Sequence, residues 1–421
     1  MCYYVHFTIC FLFYNVIISY GFMQGKTVIQ EVFKWKQISY DFDGVLYNTN
    51  TNYERNAVGA QNNSEINDAD KFFIQYNNVP IGMEVYEDRV FITVPRRRHG
   101  IPSTLNYVRL TGNNSPALKP YPDTGSRKEF VSVYRPRVDV CGRLWMVDTG
   151  HLEVPGERKQ IQPPAIVVFD LKTNEQLLRY ELKPSDLVNN RSSAGLTSIT
   201  VDVTRDNCED AYAYINDLAT EGMVVFSMKA RNSWRLDHRS FVHDDSAMNF
   251  TAAGYVINWK DGLFSIALSE PDSEGKRRAF YHPLVSTQEF SIDTEYLKDS
   301  KKFLGLNTYL GDRGSNTQSG SHDYHAPSRT MFYANVAQDA ILCWNIDTNM
   351  APNNVVVVAQ SPKKLAYISD LKVIGDHVWV LVNQIPKFIY STFDTNDYNY
   401  FIHRLKIRDL IRGTVCDVRG F

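Results

Sequence analysis

The sequence has little of several features that mark other protein classes. Only six cysteines occur in 421 residues, and none has the CxxC spacing of a metal or redox site. The 45 basic and 47 acidic residues give a formal charge of -2, which provides no field for gripping nucleic acid or a membrane surface. No low-complexity segment or linker divides the chain. The sequence therefore predicts one domain with neither a nucleic-acid nor a membrane partner.

Apolar and aromatic residues are abundant instead. Apolar residues make up 43% of the chain and aromatic residues 13%, with 25 tyrosines and 23 phenylalanines. Such side chains favour strands, and the chain has ample material for a core.

A polar turn that leads into a hydrophobic strand recurs six times. The positions taken as equivalent are Val90, Leu144, Ala213, Leu263, Met331 and Val378. Each run is hydrophobic at nearly every residue, as a strand covered on both faces would be. The spacings of 47 to 69 residues suit a four-stranded blade with variable loops. Because an isolated blade cannot bury both faces, we predict an all-β fold, a six-bladed β-propeller over residues 22–421.

The amino terminus suggests export. Residues 9–18 form a hydrophobic run about as long as the core of a signal peptide, and Ser19 and Gly21 are small residues near a cleavage point. No lysine or arginine precedes the run, so a core strand or an anchoring helix is the alternative. We predict a signal peptide over residues 1–21 and a secreted, extracellular protein.

Four cysteines remain after such a leader is removed. Three pairings are open to them, and the favoured one joins Cys141 to Cys208 and Cys343 to Cys416. The alternative is four reduced thiols. The second bridge would tie the carboxyl-terminal segment to the rest of the ring and so help to keep the ring closed.

Sequons for N-glycosylation also fit a secreted protein. They lie at Asn62, Asn113, Asn190 and Asn249. We expect two or more of them to carry a glycan.

Other motifs give no catalytic or metal signature. Asp148-Thr-Gly150 resembles an aspartic-protease triplet but occurs once, so Asp148 is predicted to cap the following turn. His322 and His325 lie in a polar stretch without a clear third ligand, and a solvated loop is the favoured interpretation. The basic run at residues 96–99 is likewise predicted to be a solvated loop. We predict no metal and no cofactor.

Five segments resemble the insect yellow and major royal jelly protein family in order and spacing. They are residues 141–150, 163–170, 261–268, 339–345 and 411–416. The resemblance implies a secreted six-bladed propeller with two disulfides. Its members include pigmentation proteins, proteins linked to dopachrome conversion, royal jelly nutrients and salivary proteins that capture biogenic amines.

The resemblance also implies a ligand site at the mouth of the central channel. Amine-binding members use a hydroxyl residue and an asparagine that correspond here to Ser369 and Asn383. Ile385 stands where those members carry an aromatic that stacks on the ligand, and Phe388 or Tyr390 are the candidate substitutes. A turn residue and a strand-end cap are the structural alternatives for Ser369 and Asn383.

Two functions from different classes follow. The first is capture of a small aromatic amine or catechol at the channel mouth. The second is a dopachrome-converting enzyme, for which His243, Asp244 and His322 are candidate bases that no spacing selects. A secreted structural protein is the third alternative.

Overall fold

Six four-stranded antiparallel sheets form the blades of a β-propeller. A computed structural model of the chain describes residues 29–54, 66–154, 158–188, 195–303, 305–418 and 420. The predicted signal peptide, Asn62 and Asn190 lie outside these residues. The predicted fold class is confirmed.

The blades are numbered in chain order, and each is given from its inner to its outer strand. Blade 1 contains Gly82–Tyr86, Arg89–Thr93, Leu105–Arg109 and Lys119–Pro120, and blade 2 contains Arg137–Val138, Arg143–Asp148, Ala165–Asp170 and Gln176–Glu181. Blade 3 contains Leu196–Thr204, Asn207–Asp217, Gly222–Ser227 and Asn232–Asp237, and blade 4 contains Leu263–Leu268, Arg278–Pro283, Gln288–Asp293 and Thr308–Asp312. Blade 5 contains Ser319–His325, Thr330–Asn335, Ala340–Asn345 and Val355–Gln360, and blade 6 contains Ile368–Ile374, His377–Val382, Tyr400–Lys406 and Gln30–Trp35.

The hydrophobic core lies between neighbouring blades. One cluster joins blades 2 and 3 through side chains such as Trp145, Ile166 and Phe226, which are all fully buried. Another joins blades 4 and 5 through Phe280, Met331 and others. Each blade therefore buries both faces, which explains why its strands are hydrophobic at nearly every position.

The ring closes with a strand from each end of the described chain. Gln30–Trp35 pairs with Tyr400–Lys406 as the outermost strand of blade 6. The carboxyl-terminal strand is followed directly by the short helix Ile407–Ile411.

Both predicted disulfides are confirmed. Cys141 is bonded to Cys208 between blades 2 and 3, and Cys343 is bonded to Cys416 beyond the last helix. The second bridge joins the third strand of blade 5 to the carboxyl-terminal segment, and both of its cysteines are fully buried.

One of the six repeats was assigned to the wrong strand. Val90, Leu144, Ala213, Met331 and Val378 lie on the second strands of their blades, but Leu263 lies on the inner strand of blade 4. Both strands are buried on two faces, so their hydrophobic patterns are alike.

Short hairpins, helices and turns lie outside the six blades. Three hairpins pair Tyr40–Phe42 with Val45–Tyr47, His151–Leu152 with Lys159–Gln160, and Phe250–Ala252 with Tyr255–Ile257. Within the described residues, the other α-helices are Thr294–Leu297 and Ile385–Tyr390, and the 3₁₀ turns are Asp68–Asp70, Gln75–Asn77, Ser126–Glu129, Pro184–Asp186, Arg239–Phe241, Asp245–Ala247 and Pro352–Asn354. Over the described part of the chain, no helix has the length and apolarity needed to span a membrane.

Candidate functional site

A cavity of about 520 Å³ lies where several inner strands begin. It is lined from blade 1 by Ile81, from blade 2 by Tyr134 and Arg135, from blade 4 by Phe264 and from blade 6 by Ser369. We call this space the mouth cavity. A second cavity of about 150 Å³ is lined by later residues of the same strands and lies further along the channel.

Arg135 forms the floor of the mouth cavity. Its Nε donates to the carbonyl oxygen of Ser369 at 2.8 Å and its Nη1 to that of Thr197 at 3.3 Å, so it bridges blades 2, 3 and 6. Gly82 makes room for it, since a Cβ at that position would lie 2.7 Å from the Cα of Arg135. The floor is therefore a fixed positive charge.

Further charged groups line the walls. Arg97 and Arg158 face the cavity with two acids, Glu153 and Asp261. The Nε of Arg97 lies 3.2 Å from Oε2 of Glu153. With Arg135 the lining carries three positive and two negative side chains, an excess that favours a ligand with an anionic or electron-rich oxygen.

Asp261 has the properties of a general base. Burial raises the pKa of its carboxyl group to about 6, although Arg97 and Arg135 oppose that change. A carboxyl group with a pKa near neutrality is well matched to accepting and returning a proton. His151 also lines the cavity, and burial lowers the pKa of its imidazole, so it is mainly neutral at pH 7.

Aromatic faces complete the mouth cavity. Trp259, Phe264, Tyr134 and Tyr367 all contribute to its lining. Burial raises the pKa of Tyr134 and of Tyr367, so both remain phenols that can donate a hydrogen bond. The cavity thus joins flat apolar walls to a few polar groups, as small-molecule sites commonly do.

The structure separates the three residues predicted as ligand contacts. Ser369 and Ile385 line the mouth cavity, whereas Asn383 is fully buried outside its lining. The Ser369 hydroxyl donates to the carbonyl oxygen of Ile81 at 2.6 Å. The Asn383 amide donates to the carbonyl oxygen of Pro80 at 2.8 Å, and its oxygen accepts from the Ile385 backbone at 3.1 Å. Ligand contact by these residues stays a prediction.

Neither expected aromatic substitute for Ile385 lines the mouth cavity. Phe388 packs against Tyr76 and Phe393. Tyr390 contacts the lining residue Trp259 instead, and its hydroxyl accepts a hydrogen bond from Nε1 of Trp259 at 2.9 Å. Trp259 therefore supplies the aromatic face that Ile385 lacks, and Tyr390 braces it.

The candidate bases chosen from the sequence lie elsewhere. Nδ1 of His243 contacts Oε1 of Glu221, and neither His243 nor Asp244 lines the mouth cavity. His322 is buried between blades 4 and 5. The prediction of a solvated loop at His322 and His325 is wrong, because Ser319–His325 is the buried inner strand of blade 5.

Two other motifs have structural explanations. Asp148 accepts hydrogen bonds from the backbone of Ser132 at 2.9 Å and of Gly150 at 3.1 Å, so the predicted turn cap is confirmed. The basic run at residues 96–99 is not a solvated loop. Arg96 is half-buried and donates to the carbonyl oxygens of Ile101 and Val131, and Arg97 lines the mouth cavity.

Sequence reasoning missed most of the charged lining. Arg97, Arg135, Glu153 and Asp261 come from four separate stretches of the chain, and no spacing connects them. Two signals were available: Arg97 lies in the basic run at residues 96–99, and Asp261 begins one of the segments that carry the family resemblance.

The comparisons with known proteins agree over nearly the whole chain. A family model described as major royal jelly protein matches residues 131–416. A relative named L-dopachrome tautomerase yellow-f, from Drosophila melanogaster, is 37% identical and covers 92% of this chain and 94% of its own. The dopaminechrome tautomerase of the same species is 30% identical and covers 94% and 85%. The protein named yellow from that species is 32% identical and covers 93% and 71%.

Proposed function

The chain belongs to the major royal jelly protein family, and from that premise we propose that its mouth cavity binds a small catechol-derived ligand. The observation that carries this proposal is one cavity that combines aromatic walls with an arginine floor. Catechols and their quinones are flat rings edged with oxygen. They can stack on Trp259 or Phe264 and accept hydrogen bonds from arginine.

The charge of the lining supports a catechol or quinone over a simple amine. An ammonium group would meet Arg97, Arg135 and Arg158 as well as the acids Glu153 and Asp261. A ligand that also carries a carboxylate can pair with an arginine while its ring lies against the aromatic wall. Biogenic amines remain within the proposal as the weaker binders.

A second function, tautomerisation of a dopachrome-like quinone, is favoured by Asp261. Two of the relatives are named tautomerases of dopachrome and dopaminechrome. In such an isomerisation a base removes a proton from a ring carbon, the electron pair moves through the conjugated ring, and a quinone oxygen gains a proton. Asp261 would take the proton, and Tyr134, Tyr367 or an arginine would donate to the developing oxyanion. The step needs no oxidant, since substrate and product are isomers.

We also propose that the protein is secreted. The two disulfides support this, because such bonds persist in oxidising compartments. Asn113 and Asn249 lie at exposed positions, where glycans would be accommodated.

Calorimetric titration of the disulfide-intact protein tests binding. L-dopa, dopamine and serotonin are the ligands, with Trp259→Leu as the variant and Trp234→Leu, half-buried on blade 3, as the matched control. Saturable binding that only the first substitution weakens supports the proposal. The absence of heat with all three ligands would refute it.

Catalysis needs a separate measurement. Freshly prepared dopachrome and dopaminechrome are followed by the loss of their visible absorbance, with wild-type protein and Asp261→Asn. Binding without acceleration over the uncatalysed rate would leave the binding proposal standing and exclude the tautomerase.

A further inference from the structure

Two histidines and a glutamate meet in the core between blades 4 and 5. His282 lies on the second strand of blade 4, Glu289 on its third strand, and His322 on the inner strand of blade 5. All three are buried, with 0%, 0% and 4% of their surfaces exposed. Their donor atoms lie within 4.8 Å of one another. We call these residues the interblade triad.

Two donor atoms of the triad face each other, and neither has a hydrogen bond of good geometry to any described residue. They are Oε1 of Glu289 and Nε2 of His322, which are 3.3 Å apart. A buried polar atom without a partner is costly, so such atoms are rare unless they serve a ligand or ion. Here the two atoms are of the types that a transition metal binds.

The outer nitrogen of each histidine is held by a neighbouring group. Nε2 of His282 lies 3.0 Å from the carbonyl oxygen of Gly320, and Nδ1 of His322 lies 2.6 Å from the hydroxyl of Ser265. Nδ1 of His282 lies 3.0 Å from Oε2 of Glu289, a hydrogen bond when Nδ1 carries the proton and a pair of facing lone pairs when Nε2 carries it. Metal-binding histidines typically show this arrangement, in which the outer nitrogen donates to an oxygen and the inner lone pair faces the ion.

Neighbouring groups complete the surroundings. Arg313 donates to Oε2 of Glu289 at 2.6 Å and so leaves Oε1 for another partner. The ring of Tyr333 stacks on that of His322 with centroids 5.5 Å apart, and its hydroxyl is a further buried oxygen close to Glu289.

We propose that the interblade triad binds one divalent transition-metal ion, of the Zn²⁺ or Cu²⁺ type, through His282, Glu289 and His322. Two imidazoles and one carboxylate form a set suited to these ions rather than to Ca²⁺ or Mg²⁺, which need mostly oxygen ligands. Tetrahedral bonds of about 2.1 Å place ligand atoms about 3.4 Å apart, close to the 3.3 Å between Oε1 of Glu289 and Nε2 of His322.

The location indicates a structural role. The triad is buried and joins two strands of blade 4 to one of blade 5, so an ion there would clip neighbouring blades together. None of its three residues lines the mouth cavity, and His322 borders the second, smaller cavity. Because the three residues are at most 4% exposed, we expect the ion to enter while the chain folds.

The test is the metal content of the full secreted protein, produced in medium supplemented with Zn²⁺ or, separately, with Cu²⁺. Elemental analysis should find about one equivalent of one metal per chain. His322→Gln and Glu289→Gln should each reduce it at least tenfold. His325→Gln is the matched control, since His325 is a buried histidine of the same strand that bonds to Ser328.

A second readout does not depend on the variants' folding. Wild-type protein from zinc- or copper-supplemented medium should melt at a higher temperature than protein made with chelator present. The proposal is overturned if wild-type protein from both media carries less than about a tenth of an equivalent. It is also overturned if His322→Gln folds and retains as much metal as His325→Gln.

Discussion

The guanidinium carbon of Arg135 lies 4.6 Å from the centroid of the Phe264 ring, which places a cation against an aromatic face at the floor of the mouth cavity. Arg135 precedes the inner strand of blade 2 and Phe264 lies on the inner strand of blade 4, so the contact joins two blades that are not neighbours in the ring. Cation–π attraction adds to the two backbone hydrogen bonds of Arg135. The positive floor is thus held from several blades at once, so it is already in place before a ligand arrives.

Arg158 should select ligands that carry a carboxylate. We expect Arg158→Gln to weaken L-dopa binding several-fold, corresponding to about 1 kcal/mol for an exposed charge pair, and to leave dopamine unchanged or slightly stronger. Calorimetric titration with each ligand gives the ratio of the L-dopa and dopamine dissociation constants. Lys159→Gln, the neighbouring exposed cation outside the mouth-cavity lining, should leave the ratio unaltered. An equal loss for both ligands would contradict carboxylate recognition.

Asp261 should control the pH dependence of tautomerase activity. Its pKa of about 6 means that the carboxylate form increases as pH rises through that value. The specificity constant kcat/KM is expected to rise about tenfold per pH unit below pH 6 and to level off above it. Asp261→Asn should remove this dependence together with most of the rate, by about 10²-fold or more. A wild-type profile without an inflection near pH 6 would exclude Asp261 as the base.

The same carboxyl group should destabilise the folded protein at neutral pH. Its folded-state pKa lies above the value of 3.8 of an unperturbed group, so the folded state holds the proton more tightly and stability falls as pH rises from about 4 to 6. Asp261→Asn should therefore raise the free energy of unfolding at pH 7.5 by about 1–3 kcal/mol, since a pKa unit corresponds to about 1.4 kcal/mol.

Urea denaturation at pH 7.5 and pH 4 measures this difference. The gain should shrink at pH 4, where the wild-type carboxyl group is mostly protonated in the folded state. Asp245→Asn is the control, because the Asp245 side chain is 82% exposed and its substitution should change little. A lower stability of Asp261→Asn at pH 7.5 would mean that attraction to Arg97 and Arg135 outweighs burial.

An aromatic side chain at position 385 should strengthen ligand binding. Ile385 lines the mouth cavity and begins the helix Ile385–Tyr390, where its backbone is fixed by Asn383. Ile385→Phe adds a stacking face worth about 0.5–1.5 kcal/mol, or about two- to tenfold in affinity. Val256→Phe, at a site that is 66% exposed outside the lining, is the control. Weaker binding by Ile385→Phe would show that the cavity has no room beside the ligand.

Asn383 should affect ligand binding indirectly, by holding the cavity residue Ile385 in place, rather than by touching the ligand. Asn383→Ala removes the bonds to Pro80 and Ile385, so affinity should fall together with thermal stability. Ser369→Ala loses the bond to Ile81 but keeps the shape of the cavity, and calorimetry should show a smaller effect. A loss of affinity in Asn383→Ala at unchanged melting temperature would instead indicate direct contact.

The bridge between Cys343 and Cys416 should be a main source of stability. It closes a loop with a sequence separation of 73 residues, so in the chain-entropy model its removal costs about 4 kcal/mol. The double variant with serine at both positions should show this loss in denaturant unfolding. The Cys141–Cys208 bridge, with a separation of 67 residues, serves as the comparison. If both double variants lose the same free energy of unfolding, loop closure accounts for the effect. A larger loss at Cys343 and Cys416 would show that the burial of these two cysteines contributes as well.

The local pattern of the sequence determined the blades and the bridges. Strands covered on both faces must be hydrophobic at nearly every position, and that pattern recurs often enough to count six blades. It did not distinguish an inner strand from a second strand, which is why Leu263 was placed one strand too far out. The four bridging cysteines were likewise readable, since few pairings were possible.

Only the tertiary structure decided the composition of the two sites. Arg135, Asp261 and Trp259 line one cavity because inner strands from different blades begin around one axis, and the sequence separation of such residues is set by loops of unequal length. His322 meets His282 and Glu289 instead of its neighbour His325 for a similar reason, since adjacent blades pack face to face. A repeating pattern specifies what each strand buries, but the closure of the ring determines which side chains meet.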